Sequence, residues 1–182
     1  CRDRSIPLEA VIEYSLQLCD VLIYLHDMKP NAIIHKDIKP SNILITQDNK
    51  LVLIDFGISE EAGAGRRTIS AATNAYAAPE QLIPGGYIDL RSDIYSLGVV
   101  IYEMLEKSYG TLGGAAETKL PVHLLGELER VCRTCTGFRP EDRYQHTNII
   151  REELLELRSR LIIYKEKIKV RRKRIVAVMC LL

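Results

Sequence analysis

Two short acidic motifs, His35-Lys36-Asp37-Ile38-Lys39-Pro40-Ser41-Asn42 and Asp55-Phe56-Gly57, each sit beside a strand-sized apolar run. An Asp, a Lys, an Asn and a second Asp held on neighbouring turns suit phosphoryl transfer. That reaction needs ligands for a divalent metal, a positive charge beside the phosphoryl in transit, and a carboxylate that orients the acceptor. Either motif alone is usually a turn, so the chemistry rests on their joint spacing.

The elements that must position these residues follow from periodicity and breakers. Ser5, Pro7 and Glu9 read as a helix start, and Leu8, Val11, Ile12, Leu18, Cys19, Leu22 and Leu25 keep helical spacing up to His26 or Asp27. Ile33-Ile34, Ile43 to Ile45 and Leu51 to Ile54 are strand-sized, with a turn signal at Gln47 to Lys50. From Asp55 to Gln81 the chain is rich in Gly, Ala, Ser and Thr, which predicts a long functional loop. Ser92 to Glu106 is apolar on most sides and predicts a buried helix, followed by a Gly-rich loop from Tyr109 to Ala116. Leu124 to Cys135 forms a further helix. The last begins near Thr147, with a stripe of Ile150, Leu154, Leu157, Leu161, Tyr164 and Ile168 that suits an ordinary packed helix better than a coiled coil. The expectation is a mainly α chain with a small β-hairpin region.

A formal net charge of +1 over 182 residues gives no global argument for a nucleic-acid partner. Five scattered cysteines are too few for a disulfide scaffold. Cys132 and Cys135 match a C-x-x-C spacing without a second pair, which favours core packing over zinc. His26, His123 and His146 form no ligand constellation, and His35 is expected to pack under the metal-binding turn. The chain opens on Cys1 rather than Met. It closes on the apolar run Ile175 to Leu182, preceded by a strongly basic stretch from Lys165 to Arg174. Eight apolar residues cannot span a bilayer, which takes about 20. A basic cluster before an apolar run is nonetheless the pattern of a cytoplasmic flank; the other reading is a plain basic tail.

Further motifs follow in order: Ala78-Pro79-Glu80, Ser92-Asp93-Ile94-Tyr95-Ser96-Leu97-Gly98 and Arg139-Pro140-Glu141-Asp142-Arg143-Tyr144. With the first two, they closely resemble the large catalytic lobe of eukaryotic-type serine/threonine protein kinases, across roughly residues 5 to 160. The resemblance implies an α+β family fold, protein substrates, ATP and Mg²⁺. It implies that Asp37 is the catalytic base and that Lys39, two residues on as in serine/threonine kinases, neutralises the γ-phosphoryl. Asn42 and Asp55 become the metal ligands. Thr73 becomes the activation-segment threonine that bonds the catalytic Asp and Lys. Glu80 and Arg143 become a buried ion pair anchoring that segment, and Asp93 the tie to the catalytic-loop backbone. Residues 1–160 then form a partial kinase domain, and 161–182 a basic juxtamembrane-like helix with the start of an apolar run. A cytoplasmic kinase tethered to the inner face of the plasma membrane is the expected setting.

The chain also departs from the pattern. Lys36 stands where the family carries an arginine, and a lysine cannot form the bidentate fork to a phosphorylated loop. Control by loop phosphorylation is therefore not implied, although Ser59, Thr68, Ser70 and Thr73 offer acceptors and Arg66-Arg67 lie in the loop. Ala72 replaces a common glycine. The short stretch from Lys107 to Pro121 resembles the compact receptor-like kinases of Gram-positive bacteria. No Gly-rich phosphate loop, strand lysine or partner glutamate helix occurs in the sequence; Gly63-Ala-Gly65 is no substitute. The small lobe is thus expected to be missing, the isolated chain inactive or nearly so, and its exposed cleft floor poorly soluble. The alternative is a non-catalytic kinase-lobe fragment or pseudokinase that binds proteins.

Overall fold

In a computed structural model, the structure describes residues 6–55, 60–61, 75–109 and 122–179. Pro7, in extended geometry, caps helix α1 (Leu8–His26), and its carbonyl accepts the first helical bond from Val11 N–H. Strand β1 (Ile33–Ile34) follows, then a 3-10 turn at Pro40–Asn42. Strands β2 (Ile43–Ile45) and β3 (Leu51–Leu53) pair antiparallel, with Leu44 opposite Val52. Asn49, at φ 58°, closes their turn by donating to the Thr46 carbonyl; Asn tolerates this left-handed conformation better than most residues.

Two elements lie inside the stretch that the sequence marks as loop. Strand β4 (Glu60–Glu61) pairs with β1, and helix α2 (Pro79–Leu82) follows the proline that opens it. The predicted buried helix is α3 (Leu90–Tyr109), longer at both ends than its apolar core suggested; Tyr109 is its last residue, and the rest of the expected Gly-rich loop lies outside the described residues. Helix α4 (Val122–Cys135), a 3-10 turn at Pro140–Asp142 and the long α5 (Thr147–Met179) complete the order.

α3 is the central helix, with Ile94, Leu97, Ile101 and Leu105 fully buried. It packs on α1 and α4, while α5 covers α1 and α4 from the other side. The α3–α4 approach is close enough that a Cβ at Gly98 would lie 2.3 Å from the Cys135 Cβ. Cys19, Cys132 and Cys135 are free thiols within this core. Burial pushes the Cys19 and Cys132 thiols up to about 12, and Cys135 well above its ordinary range. The predicted stripe on α5 is buried from Ile150 through Leu161 and half-buried at Tyr164 and Ile168, while Ile162, Ile163 and Val170, off the stripe, are exposed. The helix runs through residue 160 without a break. Among the described residues, no helix is long and apolar enough to cross a membrane.

Candidate active site

The site is assembled on the segment between β1 and β2. Asp93, fully buried near the start of α3, accepts two backbone bonds there: His35 N–H to Oδ2 and Lys36 N–H to Oδ1, each 2.8 Å. Two adjacent N–H groups converge on one carboxylate because Lys36 turns through φ 68°, a conformation rare for a residue bearing a Cβ. Lys36 is buried, and its carbonyl accepts from Gln81 Nε2 at 3.0 Å. Gln81 Oε1 in turn accepts from Ala78 N–H, so one side chain locks α2 to this segment.

Beyond that turn, Asp37 projects a carboxylate whose two oxygens differ. Oδ2 accepts from Lys39 Nζ at 2.7 Å and from Asn42 Nδ2 at 3.0 Å; Asn42 Nδ2 also bonds the Asp37 carbonyl. Oδ1 is buried and has no hydrogen-bond partner among the described residues. An ionised oxygen without a donor at such a position is costly, and it marks where an incoming donor would be favoured. The Asn42 carbonyl accepts from Ile54 N–H at 2.8 Å, which sets the end of β3 beside the 3-10 turn. Asp55 follows in a left-handed turn at φ 64°. His35 packs beneath this turn as its position predicts. Burial lowers its pKa below the ordinary value, outweighing the carboxylates of Asp93, Asp37 and Asp55 and the Ile54 backbone.

A second buried cluster anchors α2. Arg143 forms a fork on Glu80, Nη1 to Oε1 at 2.8 Å and Nη2 to Oε2 at 2.7 Å. Its remaining capacity goes to the Gly137, Arg91 and Phe138 carbonyls, with the guanidinium 5.0 Å from the Tyr95 ring centroid. Ser92 Oγ donates to Glu80 Oε1. Burial drives the Glu80 carboxyl upward, but the bonds from Arg143 and Ser92 outweigh it, and the net shift is downward.

Asp37, Lys39 and Asn42 are therefore in direct contact, with Asp55 adjacent and Asp93 underneath. Glu80 and Arg143 form a separate cluster, joined to the first through Gln81 and Ser92. Thr73 and the Phe56-Gly57 end of the second motif lie outside the described residues, as do Arg66, Arg67 and the candidate phospho-acceptors. Sequence reasoning passed over His26: its Nε2 lies 3.0 Å from Asp93 Oδ2, and Thr147 Oγ1 lies 3.4 Å from its Nδ1. It also passed over Gln81, whose only sequence signal was its place directly after Ala78-Pro79-Glu80.

Comparison with known proteins matches this arrangement. The protein kinase domain family model matches residues 2–177. The chain belongs to the protein kinase family, and this helical bundle with its small hairpin is a kinase-like large lobe. It is similar to a probable serine/threonine-protein kinase of Clostridium acetobutylicum, 30% identical over 178 residues, 87% of this chain and 26% of that protein. It is likewise 32% identical over 175 residues to the serine/threonine-protein kinase PknB of Mycobacterium leprae, covering 86% of this chain and 28% of that one. Aurora kinase A-B of Xenopus laevis is 42% identical over 92 residues, half of this chain and 22% of its own. The chain thus spans about a quarter of the length of the curated relatives it matches.

Proposed function

We propose that this chain carries the catalytic residues of a serine/threonine protein kinase, which transfers the γ-phosphoryl of ATP to Ser or Thr hydroxyls of proteins. The observation that carries this reading is the Asp37 carboxylate, one oxygen pinned by Lys39 and Asn42 and the other buried with no donor among the described residues. Asp37 orients the acceptor hydroxyl and receives its proton at Oδ1. Lys39, held at Oδ2, places its charge beside the phosphoryl in transit. Thr73 is assigned, from the family resemblance alone, as the activation-segment threonine that serves Asp37 and Lys39. Asp93 fixes the loop backbone, and Glu80 with Arg143 anchors the end of the segment.

Asn42 and Asp55 would hold Mg²⁺. Their donors suit it: an amide oxygen and a carboxylate, both hard. Among the described residues no group of three or more His, Cys, Asp or Glu side chains could hold a metal ion. Mg²⁺ usually takes one or two protein ligands and completes its shell with phosphates and water. Mg²⁺ and ATP, when bound, supply the phosphoryl group and the cation that balances its charge. The exposed apolar pair Leu44 and Val52, opposite each other on one face of β2–β3, is the proposed cleft floor.

We assign residues 1–160 to the kinase lobe and 161–182 to a segment leading toward the cytoplasmic face of a membrane. The division falls one residue before the last buried position of the stripe, Leu161, while the family match runs on to residue 177. The test is phosphoryl transfer from radiolabelled ATP with Mg²⁺ to a generic protein acceptor, beside an Asp37→Asn control. The expected result for the 182-residue chain alone, which contains no Gly-rich phosphate loop, is no signal above that control. A signal lost in the variant would show that one lobe suffices; a signal retained in it would remove Asp37 from the reaction.

A further inference from the structure

The stretch from Lys165 to Arg174 holds seven of the chain's 25 basic residues and only one of its 24 acids. The chain's near-neutral total therefore hides a segregated charge: a basic segment on an otherwise net acidic body. All seven basic side chains are exposed on the distal part of α5. On the packed body, four arginines at the surface find acids, Arg130 with Glu153, Arg151 with Asp20, Arg158 with Glu13 and Arg160 with Glu127, while Arg133 and Arg139 are exposed singly. Within the basic stretch, Lys165 reaches Glu9, and Lys169 lies 3.7 Å from Glu166. Lys167, Arg171, Arg172, Lys173 and Arg174 have no acidic partner among the described residues.

At about 100° per residue these five cations point all round the helix rather than along one face. A helix lying flat on a surface needs an apolar face opposite a charged one. A ring of charge instead suits a helix passing end-on through a charged layer, and the sequence turns apolar immediately after, from Ile175. We infer that this collar binds the anionic lipid headgroups of a membrane surface; the inference rests on the membrane-proximal reading of residues 161–182. Thr147, at the other end of α5, touches His26 of the candidate site. The rise of about 1.5 Å per residue then stands that site roughly 40 Å from the headgroups, at the end of a helical strut.

Each unpaired Lys or Arg near an anionic surface strengthens binding roughly fivefold, so five together give about three-thousandfold. Screening within about 10 Å at moderate salt makes the effect salt-sensitive. The test is sedimentation of the full 182-residue chain with vesicles of phosphatidylcholine alone, or of phosphatidylcholine with a quarter phosphatidylserine. Two variants accompany it: Lys167, Arg171, Arg172, Lys173 and Arg174 all changed to Gln, and Ile175, Val176 and Val178 all changed to Ser. At least hundredfold tighter binding to the anionic vesicles is expected, lost at molar salt and in the glutamine variant. Equal binding to both vesicles, lost only in the serine variant, would keep the membrane-proximal reading and overturn the collar. Binding to neither vesicle would overturn both. A DNA duplex bound more tightly than the anionic vesicles, through the same five residues, would overturn the lipid assignment.

Discussion

Replacing Arg143 by Met should be among the most damaging single changes in this chain, and the reason can be worked from its contacts. The side chain is fully buried and uses every donor: two bonds to Glu80 and three to the carbonyls of Gly137, Arg91 and Phe138. Methionine fills much of the volume but leaves the Glu80 charge with Ser92 and its own backbone N–H as donors, and strands three carbonyls. Removing one partner of a buried pair costs about 3–5 kcal/mol, and the stranded carbonyls place this site toward the upper end. Changing Glu80 to Met alone leaves the guanidinium uncompensated and should cost a similar amount, whereas the double substitution should cost clearly less than the sum. Urea unfolding followed by circular dichroism reads all four proteins. Acid supplies a second arm. Because the Glu80 carboxyl is held below its ordinary value, the pair's contribution is fully present above the usual glutamate range, near 4.3. It fades as pH falls through the depressed native value. The gap between the parent and Arg143→Met should therefore be widest near pH 7 and narrow as pH falls, because the variant's buried Glu80, without the guanidinium, takes up its proton before the parent's does. Strict additivity, or a loss under about 1 kcal/mol, would refute the reasoning.

Gly98→Ala should destabilise by about 1–3 kcal/mol despite alanine's better helix propensity, because the new methyl meets the Cys135 Cβ; a higher urea midpoint would contradict the close α3–α4 crossing. Gln81→Ala should cost about 1–3 kcal/mol by stranding the buried Lys36 carbonyl and Ala78 N–H. Faster amide exchange around Ala78 should accompany it, and unchanged exchange there would argue against the lock. Cys19, Cys132 and Cys135, with thiols driven up by burial, should resist iodoacetamide at neutral pH until denaturant is added; peptide mapping that finds them labelled in native protein would argue against the packed core.

The helices were legible because their cores repeat at helical spacing over many residues, as Leu8 to Leu25 and Ile94 to Leu105 do. α2 was not: four residues opened by Pro79 carry no period, and the surrounding Gly, Ala and Ser masked them. Nor was β4, since Glu60-Glu61 has no strand character and is paired only because β1 offers an edge. At the site, motif spacing brought out Asp37, Lys39, Asn42 and Asp93. His26 escaped because its partner Asp93 is 67 residues away and no local pattern announces such a pair. The left-handed turns at Lys36 and Asp55 were equally hidden, since neither residue is a glycine and each conformation is imposed by what surrounds it.

The central claim is that Asp37 is the base of phosphoryl transfer. Its most direct test joins the small lobe of the Mycobacterium leprae relative ahead of Ile6, with folding checked by circular dichroism, and follows radiolabelled transfer from Mg²⁺-ATP beside the chain alone. The two-lobe protein should transfer phosphate to a protein acceptor, and Asp37→Asn should lower that rate roughly a hundred- to ten-thousandfold. Equal transfer by the folded Asp37→Asn variant would contradict the account.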